Sequence, residues 1–207
     1  MKHPIVATAL CVFVLAPGLC FAQTGGEPKP IKPGSVRITT RAPELDKWTA
    51  QKTANGLRRV FRCKPLACAE PQTVAFTFLK SPTGTPDPKA LEKFAKIDLP
   101  KSIRAAGAAR EVLSDGAEKI ETLSSKTTTL KGYPSVINET LFSRGKSSAY
   151  IETAIIFAGP VMIRVQSSSP NRQLAQKSLD QFIEAMRIEE GPPPSKPRPP
   201  SKGTQSL

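Results

Sequence analysis

Histidine is nearly missing from this chain: of 207 residues one is histidine, and it stands at position 3. A Ser-His-Asp or Cys-His arrangement needs an imidazole that the body of the sequence does not hold, and imidazole metal ligation goes with it. Cysteine is scarce as well, with 4 in all, and Cys11 and Cys20 lie close to the start. Only Cys63 and Cys68 remain beyond them, and a zinc site on that pair would need two further ligands of the right kind. Glycine-rich phosphate loops and dinucleotide fingerprints are absent. No apolar run is long enough to cross a bilayer: the longest beyond the start, Ala154 to Ile163, is interrupted by Gly159 and Pro160. No cofactor and no metal is therefore expected.

What the chain does have begins with a leader. Lys2 and His3 precede an apolar stretch from Ile5 to Leu15, and Cys20-Phe21-Ala22 supplies small residues at −3 and −1 before Gln23. That order reads as a secretory signal peptide over residues 1–22, and it implies a periplasmic or secreted protein. Cys20 offers a rival reading as a lipid-attachment site, but Leu19 before it fits that site poorly. In an oxidising compartment Cys63 and Cys68, with Pro65 between them to aid the turn, are expected to form a structural disulfide. A redox-active pair would more often have two residues between the cysteines.

The charge is strongly positive. The formal net charge is +13, and removing Lys2 with the leader makes it 13 − 1 = +12. Arg37, Arg41, Lys47, Lys52, Arg58, Arg59, Arg62 and Lys64 face only Glu44 and Asp46 in one stretch, and Lys196, Arg198 and Lys202 have no acid beside them. Such a field favours an anionic envelope polymer, a membrane surface or an acidic protein as partner. Nucleic acid is disfavoured, because Trp48 and Phe61 are the only aromatics in the basic stretch and no binding motif accompanies them. Arg58, Arg59, Arg62 and Lys64 are the anion-binding candidates. On a strand Arg58 and Arg62 share a face and Arg59 points the other way, so they do not form one continuous patch.

Residues 23–34 are polar and rich in proline and glycine, a flexible N-terminal segment. Residues 35–190 form one domain. Strands are expected at Ser35 to Thr40, Leu57 to Arg62 and Thr73 to Leu79, the last with Val74, Phe76 and Phe78 on one face. Asp87-Pro88 opens a helix carrying Leu91, Phe94 and Ala95, and Pro100 separates it from a second piece through Ile103 toward Arg110. After a turn at Asp115-Gly116, strands follow at Lys119 to Leu130, Val136 to Phe142, Ala149 to Phe157 and Val161 to Ser167. They are joined as hairpins through Arg144-Gly145-Lys146 and Ala158-Gly159-Pro160. A final helix after Ser169-Pro170 aligns Ala175, Leu179, Phe182, Ile183 and Met186. Residues 191–207 are a disordered tail rich in proline and lysine.

This order implies an α+β domain: a single antiparallel sheet flanked by helices. Leu130-Lys131-Gly132-Tyr133-Pro134, leading into three strands and a helix containing Phe182, resembles the PsbP-like α/β sandwich. That fold is shared by extrinsic photosystem proteins, a Ran-binding import factor and bacterial envelope DcrB-like proteins. The resemblance implies fold, and its members mostly bind or scaffold.

Chemistry without histidine has two routes. Glu139 and Glu152 lie on neighbouring strands and can face one another, although exposed strand carboxylates more often pair with cations such as Arg144, Lys146 or Arg164. Serine with a lysine base is the other route, as in Ser102 beside Lys101, but no known spacing marks a nucleophile. The leading expectation is an exported, non-enzymatic binding or accessory protein of the cell envelope. The alternatives are a histidine-independent hydrolase, and a carrier holding a small apolar ligand among Phe76, Phe157 and Phe182.

Overall fold

The computed structural model describes residues 30–53, 56–81, 84–97 and 119–193. The leader, the helical piece expected around Ile103, the Asp115-Gly116 turn, Lys101-Ser102 and most of the tail lie outside these residues.

Alternation of side chains sets the architecture. Strands β2 (Trp48–Lys52), β3 (Arg58–Cys63), β4 (Thr73–Lys80), β5 (Lys119–Leu130), β6 (Tyr133–Arg144), β7 (Ser147–Ala158) and β8 (Val161–Ser169) form one sheet in the order β2-β3-β4-β8-β7-β6-β5. Every neighbouring pair in it is antiparallel. The expected single sheet is corrected by a second, two-stranded one, in which β1 (Val36–Thr39) pairs with β9 (Arg187–Glu190). Local periodicity cannot reveal that pairing, because it joins the two ends of the domain.

Each face of the large sheet has its own helix. Val74, Phe76, Ala154, Ile156, Ile163 and Val165 point to one side, where they meet Leu179, Phe182 and Ile183 of α2 (Arg172–Ala185). Trp48 stands edge-on to Phe182 with ring centroids 4.8 Å apart, and Phe61 lies 5.0 Å from the same ring. The alternate residues Ile155 and Phe157 point to the other side, with Val136 of β6, under Leu91 and Phe94 of α1 (Pro88–Ala95). Both helix starts follow from their sequence. Asp87 accepts a hydrogen bond from the Ala90 amide at 2.7 Å, and Asn171 accepts one from Leu174 at 3.2 Å.

The same alternation corrects the carrier reading. Phe76 and Phe182 are fully buried with centroids 6.2 Å apart, whereas Phe157 lies through the sheet against Phe94 at 5.6 Å. The three phenylalanines line no common space.

Candidate functional site

Cys63 and Cys68 are joined in a disulfide, with Cα atoms 6.2 Å apart. It closes the loop that leaves β3, and the basic residues around it divide according to strand parity. Arg59 shares the α2 side with Phe61, and its Nη1 donates to the Thr40 carbonyl and Oγ1, both at 2.7 Å. Lys64 lies past the strand end and donates from Nζ to the Asp46 carbonyl at 2.5 Å. Lys47 is paired with Glu44. Arg58 and Arg62 point to the opposite face. There Arg62 donates from Nη1 to Gln51 Oε1 at 3.0 Å.

Sheet pairing adds a residue that the expected cluster lacked. Arg58 lies opposite Thr77 of β4, and Thr77 lies opposite Arg164 of β8, so the two arginines stand in one cross-strand row with a threonine between them. Continued across the sheet, the row reads Ile155 and then Val136, the apolar floor beneath α1. Among the described residues α1 covers β5 and β6, and it makes no comparable cover over β3 and β4. Arg58 and Arg164 are exposed, and no acidic side chain among the described residues is paired with either. Desolvation against the sheet, and then the charge of Arg58, hold the Arg164 guanidinium below its ordinary value. Alternation with the buried Ile163 and Val165 turns Arg164 to the opposite face. The missing signal was that β8 lies beside β4, a pairing between strands that the chain separates from Lys80 to Val161.

The carboxylates occupy the other face. Glu139 and Glu152 are opposed in register on β6 and β7, as their facing strands suggested. Both are buried, at 4% and 6% exposure, which corrects the picture of solvated strand carboxylates paired with Lys146 or Arg164. Their cover is Arg172, the first residue of α2, whose Nε pairs with Glu139 Oε1 while its Nη2 donates to Oε2 at 2.6 Å. Burial and then the Glu139 charge push the Glu152 carboxyl up to about 7, and Arg172 partly offsets them. Ser167 lies opposite Glu152 in the same row, fully buried. A shallow groove of about 310 Å³ runs along the outer side of α2 past Gln173, Gln176, Asp180 and Glu184, and neither Glu139 nor Glu152 lines it.

No protein-family model matches the chain, and no curated protein matches it. Among solved structures it is similar to cyanobacterial PsbP (CyanoP) from Synechocystis sp. PCC 6803, at 13% identity and a TM-score of 0.46, over 79% of this chain and 98% of that one. It is similar to LpqN, involved in cell envelope biogenesis of Mycobacterium tuberculosis, at 15% identity and a TM-score of 0.46, over 76% of this chain and 86% of that one. The Ran-binding protein Mog1p of Saccharomyces cerevisiae has 13% identity and a TM-score of 0.44, over 72% of this chain and 89% of that one. The solved structures it is similar to include a PsbP, whose fold the sequence resembles, and at these TM-scores the likeness carries no argument beyond that similarity.

Proposed function

We propose that this chain is an exported, non-enzymatic accessory protein of the cell envelope that holds an anionic partner on the arginine-bearing face of its large sheet. The observation that carries this reading is the placement of Arg58, Arg62 and Arg164 on one face with no paired acid among the described residues. Folding spends the remaining candidates elsewhere: Arg59 holds Thr40, and Lys64 holds the Asp46 carbonyl. Export is supported by the leader pattern and by a closed Cys63–Cys68 pair, a bond that suits an oxidising compartment. The carboxylate route to a hydrolase would need a free carboxylate with access to substrate. Glu139 is committed to Arg172 through both oxygens, and Glu152 is buried beside it. Among the described residues no helix is long and apolar enough to cross a membrane.

Retention on immobilised heparin through a salt gradient tests the reading. The protein should elute at a salt concentration that falls when Arg58, Arg62 and Arg164 are all changed to alanine, because each exposed charge is screened as salt rises. Identical elution of the triple variant would remove this face as the cause.

A further inference from the structure

The row Arg58–Thr77–Arg164 has a narrower chemistry than a diffuse basic face. Adjacent strands stand about 4.8 Å apart, so the two arginine backbones are about 10 Å apart on either side of Thr77. From those positions two long side chains on one face can turn inward over a single threonine hydroxyl. We infer that Arg58, Thr77 and Arg164 form a clamp for a phosphate-type anion, a phosphomonoester or phosphodiester group.

The donor set selects the anion. A carboxylate is satisfied by one guanidinium in a two-bond fork. A tetrahedral phosphate engaged by one arginine still has oxygens for a second arginine and a hydroxyl. Folding places two like charges across one strand without an acid between them, and an anion above Thr77 would relieve that repulsion. The Arg164 guanidinium is depressed first by burial against the sheet and only second by the charge of Arg58. The next row of the same face pairs Leu79 with Met162, and Leu79 is 39% exposed, so the clamp borders an apolar step. A phosphate carried on an apolar body suits that border as well as a free one does. This inference rests on the reading of the face as an anion-binding surface and sharpens it to three residues.

The test is a titration of the intact protein with inorganic phosphate at constant ionic strength, followed by NMR at the Thr77 amide and the arginine Nε–H groups. Saturable shifts confined to Arg58, Thr77 and Arg164 are expected. Arg58→Ala and Arg164→Ala should each weaken phosphate binding by about tenfold or more, as loss of a charged hydrogen bond does. Thr77→Val should weaken it less, and Lys177→Ala on α2 should leave it unchanged. A second arm uses phosphatidylcholine vesicles with and without phosphatidylglycerol. Binding to the anionic vesicles that inorganic phosphate displaces, with the same variant pattern, supports the clamp with a lipid phosphate as source. Phosphate binding without vesicle binding supports it with a soluble source. Unsaturable shifts spread over all exposed cations, with heparin retention falling equally in R58A, R62A and R164A, would overturn the clamp and leave the basic-face reading standing. Retention unaffected by any of the three would overturn both.

Discussion

Glu152 shows how one residue's environment becomes a property of folding. Its carboxyl titrates at about 7 in the folded chain against an ordinary value of 4.5, first because it is buried and second because Glu139 is charged beside it. The folded state therefore holds this proton more tightly than the unfolded state does. The stability it contributes is fully present below about pH 4.5 and is lost as pH rises through about 7. Glu152→Gln mimics the protonated acid. It should leave thermal stability unchanged at acid pH and raise it at alkaline pH by about 1–2 kcal/mol, reduced from the full shift by residual solvent access. Thermal melts across pH check this, and equal stabilisation at both ends of the range would show that charge is not the cause. Arg172 acts in the opposite sense, since it offsets the charge of both carboxylates. Arg172→Gln should lower the melting temperature and move the Glu152 titration higher still. Carboxyl chemical shifts against pH would reveal either result, and an unmoved midpoint would mean that Arg172 does not sense Glu152.

At the scale of elements, the sequence was most legible where structure is local. The hairpin between β5 and β6 turns on Lys131 and Gly132, both with positive φ at 54° and 84°, which is the backbone that a two-residue hairpin of matching twist demands. Gly132→Ala meets no atom within 4 Å, so its cost is purely conformational, about 1–2 kcal/mol. Denaturant unfolding of the alanine variant measures it, and no loss would mean that the turn reshapes freely. The Cys63–Cys68 bond is equally local. Because it closes so short a loop, its replacement by a serine pair should cost about 2 kcal/mol on the chain-entropy account. The facing of Glu139 and Glu152 was readable for the same reason, since their hairpin fixes which residues oppose one another. Their burial was not readable, because the cover comes from Arg172 on a helix thirty-three residues from Glu139. Arg59 shows the converse. Strand parity turned it away from Arg58, but only the folded chain shows that it is bound to Thr40.

At the scale of the whole molecule, what local pattern cannot supply is the order of strands and the meeting of chain ends. Placing β8 beside β4 puts Arg164 in the Arg58 row, and pairing β1 with β9 ties the beginning of the domain to its end. That tie extends past the last strand. The Gly191 amide donates to the Ser35 carbonyl at 2.8 Å, and the Gly34 amide donates to the Pro192 carbonyl at 2.8 Å. By composition Gly191 begins a proline-rich tail, yet here it lies so close to the Lys32 backbone that any Cβ would collide with the Lys32 carbonyl. A bare backbone is needed for this approach. Gly191→Ala should therefore open the clasp at its outer end without touching the large sheet. Hydrogen exchange should quicken at Val36 to Thr39, whose ladder partners are Arg187 to Glu190. The β4 and β8 amides, held in the centre of the seven-stranded sheet, should keep their protection. Protection lost from both regions together would show that the clasp and the large sheet unfold as one unit. Protection kept in both would show that Lys32 can move aside, leaving Gly191 with no essential part in holding the ends together.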